Sequence, residues 1–350
     1  MSKRIVKKYE NLGLTGLANL GNTCFLNSTL QCLSHTYELN EFLNIENGKG
    51  KKVYESKLNR VPDSLILMEW DKLRKLMWSE NCTINPAGFV DSIQKVATIK
   101  DAIIFSGYAQ NDLTEFLTFV IDCFHNSLKR EVTMNIKGNV RNNVDKLAMK
   151  CYEMMRNMYK KEYSEFLKLF YGIHVSQVKS LESNYSNITP EPFFNLLLEI
   201  DSFHSLKSSI KAYTRIEKME GDCKVFNDEL DRKENGEKRI IFWELPDILV
   251  ITLKRFTPGR RKNQVFVDFP LENLDLREYV VGYQREGCIY DLYGICNHSG
   301  GTEGGHYTSF VKNANGTWYH FNDTRVTEIK NLKNLKTPKA YCFFYRKKKY

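Results

Sequence analysis

The spacing of apolar residues changes character once along this chain, near residue 172, and that change limits the folds open to it. Before it, apolar residues recur at helical intervals. Leu26, Leu30 and Leu33 share one face after a loop at 14–22, Leu65, Met68, Leu73 and Leu76 recur within 62–78, and Phe116, Leu117, Val120, Ile121 and Phe124 line one side of 112–129. A proline in the first turn suits a short helix over Pro86–Val96. Asp112 with Glu115 three positions on has the form of a capping box. Residues 143–170 are expected to form one long helix, and the polar, Lys-rich 44–61 a loop. After 172 the apolar runs are short and rich in β-branched and aromatic residues: Phe193–Ile200, Arg239–Trp243, Ile248–Phe256, Ile289–His298, His306–Lys312, Thr317–Asn322 and Ala340–Arg346. Pro190, Pro246, Pro258-Gly259, Gly300-Gly301 and Asn315-Gly316 separate them. Helices segregated from antiparallel strands make an α+β fold.

Composition narrows the class. The chain has 350 residues, long enough for one large domain with subdomains or for two. Its nine cysteines are odd in number, scattered, and never spaced C-x-x-C, which argues against a disulfide framework and a thiolate zinc site and favours a reducing, intracellular setting. The opening Met-Ser-Lys-Arg lacks a following apolar run, so no secretory leader is expected, and no segment reaches the roughly 20 apolar residues of a membrane span. Net charge is +9, but the basic residues are scattered, and the cluster at 254–262 holds a single aromatic, Phe256. Nucleic acid is therefore not expected as a partner, since its recognition uses a basic stripe with interleaved aromatics.

Two segments carry chemistry. In Asn19-Leu20-Gly21-Asn22-Thr23-Cys24 the cysteine stands where a loop turns into a helix. The positive end of a helix favours thiolate over thiol. Asn22 or Thr23 is placed to cap that helix, and the Asn19 amide to donate to an oxyanion beside Cys24. In Gly300-Gly301-Thr302-Glu303-Gly304-Gly305-His306 a glycine-rich turn ends on a histidine that opens a strand. Asn315-Gly316 folds that strand back into a hairpin, which returns Asn322 to the side of His306. An Asn or Asp oxygen there accepts the imidazole N–H and fixes its tautomer. His298 competes with His306, but the flanking glycines and the hairpin partner favour His306. A Cys, a His and an Asn far apart in sequence is the arrangement of papain-like proteases.

Taken together, the segments resemble the ubiquitin-specific protease family. GLANLGNTCFLNSTLQCL (16–33) is similar to its Cys box, Tyr108–Leu117 to its Gln-x-Asp-x-x-Glu-Phe segment, and LPDILVITLKRF (245–256) to its Leu-Lys-Arg-Phe strand. Asp268–Leu271, GGHYTSF, Trp318–Val326 and Ala340-Tyr341 follow in the family's order. The resemblance implies a papain-like cysteine protease fold with thumb, palm and fingers, in a single catalytic domain over 13–347, behind a flexible basic tail at 1–12. The thumb would take about 13–165, and the fingers and palm about 166–347. It implies Cys24 as nucleophile, His306 as general base, Asn322 as the third triad member, Asn19 as the oxyanion-hole amide, and Asp323 as a supporting acid ranked below Asn322. Ubiquitin and ubiquitinated proteins would be the partners of a monomeric enzyme. A modifier related to ubiquitin, or an inactive binding module, is the alternative.

The family's fingers often carry two C-x-x-C pairs that hold zinc. Here those positions read Ser180-Leu-Glu-Ser183 and Asn227–Leu230, so no metal and no cofactor is expected. For the Arg-Leu-Arg-Gly-Gly tail of ubiquitin, Gly304, Gly305 and Tyr307 are expected to form a narrow wall and Gln110 to position tail backbone. Asp112 and Glu115 are the carboxylates available to the tail's arginines, with Asp112 either shared between the tail and the helix cap or engaged in the cap alone. Arg255–Lys262 is expected to be a mobile loop over the cleft or a solvated turn around Pro258-Gly259.

Overall fold

A computed structural model describes residues 3–48, 50–200, 204–257, 261–301 and 304–349. The helical half holds α1 (Lys3–Tyr9), α2 (Cys24–Ser34), α3 (Tyr37–Leu43), α4 (Asp63–Met77), α5 (Ala87–Ile99), α6 (Leu113–Leu128), α7 (Asn143–Glu162) and α8 (Glu165–Phe170). Two of the faces read from apolar spacing are buried, Leu26, Leu30 and Leu33 of α2 and Phe116, Leu117, Val120, Ile121 and Phe124 of α6, in one core with Trp70 and Phe89. On α4 only Leu65 and Leu73 of the expected face reach that core, and Met68 and Leu76 are exposed because the buried stripe runs through Ile66, Leu67, Trp70 and Met77 instead.

Two further expectations fail in this half. Residues 143–170 form two helices, because Arg130 and Tyr163 exchange backbone hydrogen bonds and end α7 there. The expected frayed tail is also a helix, α1. Its anchor is Tyr9, buried against Tyr37 and Trp78 with ring centroids at 4.8 and 4.9 Å, its hydroxyl donating to Glu41. Burying one aromatic ring contributes enough to hold a short basic segment in place.

Strands begin at Gly172. We label β1 (Gly172–Ser180), β2 (Ser186–Phe193), β3 (Asn195–Leu198), β4 (Gly236–Glu244), β5 (Ile248–Leu253), β6 (Ile289–Gly300), β7 (Gly305–Lys312), β8 (Trp318–Asn322), β9 (Arg325–Glu328) and β10 (Ala340–Lys347). A short helix α9 (Leu206–Tyr213) lies between β3 and β4. The palm sheet runs β9-β8-β7-β6-β10-β5-β3, antiparallel except where β5 meets β3. One face of it packs on α2 and the thumb, and the other on a second core built around Phe269, Phe343 and Tyr345. The finger sheet runs β2-β1-β4 and ends on the short strand Glu217–Met219. Pro190, expected in a turn, lies inside β2 opposite Val175. β2 is an edge strand, where a proline's missing N–H costs no ladder bond. Among the described residues no helix is long and apolar enough to cross a membrane.

Candidate active site

Cys24 is the first residue of α2 and 2% exposed. The loop before it turns sharply through Gly21 (φ 97°) and Asn22 (φ 56°), and Asn22 Nδ2 donates to the Tyr108 carbonyl across the cleft at 3.0 Å. Neither Asn22 nor Thr23 caps α2 through its side chain. Thr23 stands at the cap position, but its hydroxyl accepts from the Leu20 N–H instead. Asn19 organises the loop: its Oδ1 accepts from the N–H groups of Gly21 and Thr23, both at 3.1 Å, and its Nδ2 donates to Asp323 Oδ2 at 3.0 Å. Those three bonds fix which end of the amide carries hydrogen.

The helix start does not by itself make Cys24 a thiolate. Burial pushes its pKa up, the backbone N–H groups of Tyr307 and Phe25 pull it down, and the negative charge of Asp323 raises it again, for a net rise. Desolvation outweighs the helix end here. The thiol therefore needs a base.

His306 is the second residue of β7, and β7 packs against α2. The hairpin turn 313–317, with Gly316 at φ 87°, sends the chain back along β8. There the Asn322 amide oxygen accepts from His306 Nε2 at 2.7 Å. An amide oxygen can only accept, so this bond places a ring proton on Nε2. The Asp323 carboxylate is engaged by other side chains. The residue adopts a left-handed conformation (φ 49°), and its carboxylate accepts from Asn19 and, at 2.8 Å, from Asn27 Nδ2. Its carbonyl accepts from the Leu17 N–H at 2.9 Å. Asp323 thus ties the Cys24 loop, α2 and the β8–β9 turn together. Asn27 was not singled out from sequence, although it lies in the Phe-Leu-Asn run that follows Cys24.

An open cleft lies beside Tyr307, the neighbour of His306 in sequence, lined among others by Gln110, Glu115, His298, Gly304, Tyr307 and Tyr341. Gln110 grips one residue across it: Oε1 accepts from Gly305 N at 2.8 Å and Nε2 donates to Gly305 O at 2.9 Å. Gly305 admits no side chain, since a Cβ there would lie 2.2 Å from His298 Nε2 and 2.5 Å from the Ser299 carbonyl. His298 is buried between Tyr307 and Phe256, which with the nearby Lys262 charge lowers its pKa to about 4 and keeps it neutral. Tyr307 is buried, and its backbone N–H reaches the Cys24 thiol.

The two candidate carboxylates differ. Asp112 caps α6, its Oδ1 accepting from the N–H groups of Thr114 (2.8 Å) and Glu115 (3.2 Å), while its Oδ2 accepts from the Tyr341 hydroxyl at 2.6 Å. Both of its oxygens are committed. Glu115 is exposed at the cleft, its pKa raised by partial burial and by the Asp112 charge.

The basic segment 255–262 is not a loose loop at its base. Arg255 is fully buried, donating to the carbonyls of Ala340, Asn263 and Val265. Phe256–Thr257 pairs with Arg261–Lys262, and Lys262 Nζ donates to the His298 carbonyl at 2.6 Å. The tip at 258–260, including Pro258-Gly259, lies outside the described residues. All nine cysteines are free, and no cluster of three or more His, Cys, Asp or Glu residues suited to a metal occurs among the described residues.

Residues 15–345 match the family model described as ubiquitin carboxyl-terminal hydrolase. Ubiquitin carboxyl-terminal hydrolase 2 of Homo sapiens is 35% identical over 347 residues, covering 95% of this chain and 55% of that protein. Ubiquitin carboxyl-terminal hydrolase 21 of Mus musculus is 29% identical over 360 residues, covering 95% of this chain and 62% of that protein. The chain thus spans little more than half the length of these relatives. Among solved structures, the SAGA Ubp8/Sgf11/Sus1/Sgf73 DUB module bound to ubiquitin aldehyde matches with a TM-score of 0.71 at 26% identity, covering 96% of this chain and 70% of that one.

Proposed function

The chain belongs to the ubiquitin carboxyl-terminal hydrolase family, and from that premise we propose that it is a cysteine-type deubiquitinase that hydrolyses the bond after the C-terminal glycine of ubiquitin. The observation that carries this reading is the His306–Asn322 pair, at 2.7 Å, set on a strand that packs against the helix bearing the buried Cys24 thiol.

The sequence of events follows from the groups present. His306 Nδ1 takes the Cys24 proton, and the thiolate attacks the terminal glycine carbonyl. The Asn19 amide has one N–H on Asp323 and a second available for the oxyanion, beside the Cys24 backbone N–H. A donor of this kind contributes about 3 kcal/mol to the transition state. His306 then protonates the leaving lysine amine and, in the second half, activates the water that releases ubiquitin. Gln110 holds Gly305 in place, so that Gly304, Gly305 and Tyr307 form a wall passing Gly-Gly and rejecting larger residues. Glu115 pairs with a tail arginine, whereas Asp112 acts through the α6 cap.

Reaction with ubiquitin bearing a C-terminal thiol-reactive warhead tests this. A covalent adduct is expected with the wild type and not with Cys24→Ser. Labelling of Cys24 by a probe built on a ubiquitin-like modifier, with none by ubiquitin, would keep the mechanism and replace the substrate. No adduct with any probe would overturn the enzymatic reading.

A further inference from the structure

The finger sheet contains a buried carboxylate that the chemistry above does not use. Glu234 ends the short strand Arg232–Glu234, which pairs with Val225–Asn227, and it is fully buried. Its Oε2 accepts from three side chains: Ser180 Oγ at 2.6 Å, Ser183 Oγ at 2.6 Å and Asn227 Nδ2 at 3.1 Å. Its Oε1 accepts from Arg232 at 2.9 Å. The hydroxyls of Ser180 and Ser183, then Asn227 and Arg232, hold the carboxyl down at about 2, so it is ionised throughout the physiological range.

The donors come from two turns built alike. In the first, Ser180 Oγ accepts from the N–H groups of Glu182 (3.0 Å) and Ser183 (3.1 Å). In the second, Asn227 Oδ1 accepts from the N–H groups of Glu229 (3.0 Å) and Leu230 (3.2 Å). Each turn thus wraps two backbone donors, from residues two and three positions on, around one side-chain oxygen. These are the two segments, Ser180-Leu-Glu-Ser183 and Asn227–Leu230, that the family resemblance sets at C-x-x-C positions and that here carry serine and asparagine. One carboxylate oxygen lies where the side chains of both turns converge. The packing leaves no slack beside it, because a Cβ on Gly236 would stand 2.5 Å from Val225 and 2.7 Å from the Lys179 carbonyl.

We propose that Glu234 is an anionic anchor that closes the finger tip without metal, drawing the turn after β1 and the Val225–Glu234 hairpin onto one charged atom. Through that closure it positions the finger sheet to seat the globular body of ubiquitin. The second half of this inference rests on the deubiquitinase reading above. Glu234 is a positioning residue, with no contact to reacting atoms. The charge matters because a neutral amide of the same shape turns an NH₂ or a weaker acceptor toward the three donors that converge on this oxygen; Asn227 Nδ2 also reaches Ser183 Oγ at 3.1 Å.

Wild type, Glu234→Gln and Glu234→Asp would be compared on two substrates, ubiquitin with a C-terminal fluorophore and the pentapeptide Arg-Leu-Arg-Gly-Gly with the same fluorophore. Glu234→Gln is expected to raise KM for the ubiquitin substrate at least about threefold with little change in kcat, and to leave peptide turnover within about twofold of wild type. Glu234→Asp, which keeps the charge and loses reach, should fall between. Hydrogen exchange should show lost protection confined to 180–183 and 225–236, and purified wild type should carry no stoichiometric zinc. An unchanged KM, an equal loss on both substrates, unchanged exchange at the tip, or one zinc per chain would each overturn the proposal. If wild type cleaves neither substrate, the deubiquitinase reading fails instead, and the exchange comparison still decides whether Glu234 anchors the tip.

Discussion

Asp112 offers a test in which a structural role and a substrate role part cleanly. Both of its oxygens are engaged within the protein, on the first turn of α6 and on the Tyr341 hydroxyl. Asp112→Ala removes the cap, at about 1 kcal/mol, and leaves a buried hydroxyl without its acceptor, at about 1–3 kcal/mol. The sum is about 2–4 kcal/mol. An unfolding entropy of roughly 2.1 cal/mol/K per residue, over 350 residues, converts each kcal/mol to about 1.4 °C. Calorimetry should therefore find a Tm lower by about 3–6 °C. Asp112→Asn keeps a capping oxygen of equal rank, and its Nδ2 can donate to Tyr341 with the bond reversed, so its Tm should fall by less than about 1 °C. If the charge of Asp112 is not spent on the ubiquitin tail, Asp112→Asn also leaves KM for ubiquitin substrates unchanged, while Glu115→Gln raises it at constant Tm. A large rise in KM for Asp112→Asn, or equal Tm losses for both Asp112 variants, would refute the assignment.

Three further outcomes follow from the same geometry. Asn322→Ala frees the His306 ring and should lower kcat by about 10²–10³-fold with a smaller effect on KM, whereas Asn322→Asp, which keeps an accepting oxygen, should retain most activity; equal losses in the two would exclude an orienting role. Asp323 raises the Cys24 pKa through its charge, so Asp323→Asn should shift the midpoint of Cys24 alkylation against pH downward, and a midpoint that stays put or rises would contradict the electrostatics. His35 and His298 are both buried and held neutral, each at about 4 against an ordinary 6.5. Their folded values are depressed, so the unfolded chain binds protons first as pH falls, and stability is lost between about 6.5 and 4. Each should cost about 2 kcal/mol between pH 7 and pH 5 in urea titrations, and a flat profile over that interval would rule this out.

What could be read in advance was local, and what could not depended on distant partners. The α6 face, the Asp112 cap and the Asn315-Gly316 turn are written in contiguous residues, and the hairpin made by that turn is what returns Asn322 to His306. β1 was not read at all, because Gly172–Ser180 mixes polar residues through a sheet with one solvated face. The second oxygen of Asp112 finds Tyr341, 229 positions away, and the Asn19 amide finds Asp323, 304 positions away; neither distance is visible in local pattern. The break at Tyr163 has the same origin. Helical spacing continues through it, but Arg130, from a different segment, takes its backbone bonds.

The Cys24 thiol shows how the same distant contacts alter chemistry as well as shape. A helix start lowers the pKa of a cysteine that stays wet, and that is all the sequence around residue 24 conveys. In the folded chain the thiol is covered, and burial together with the charge of Asp323 raises its pKa. Asp323 also holds Asn19 and Asn27, so the residue that orders the loop before Cys24 opposes ionisation of its thiol. A thiol whose pKa is raised depends on a base beside it, and in the proposed mechanism that base is His306, held by its 2.7 Å bond to Asn322. In that mechanism the two roles of Asp323 separate on substitution: Asp323→Asn should gain thiolate while losing the alignment of Asn19.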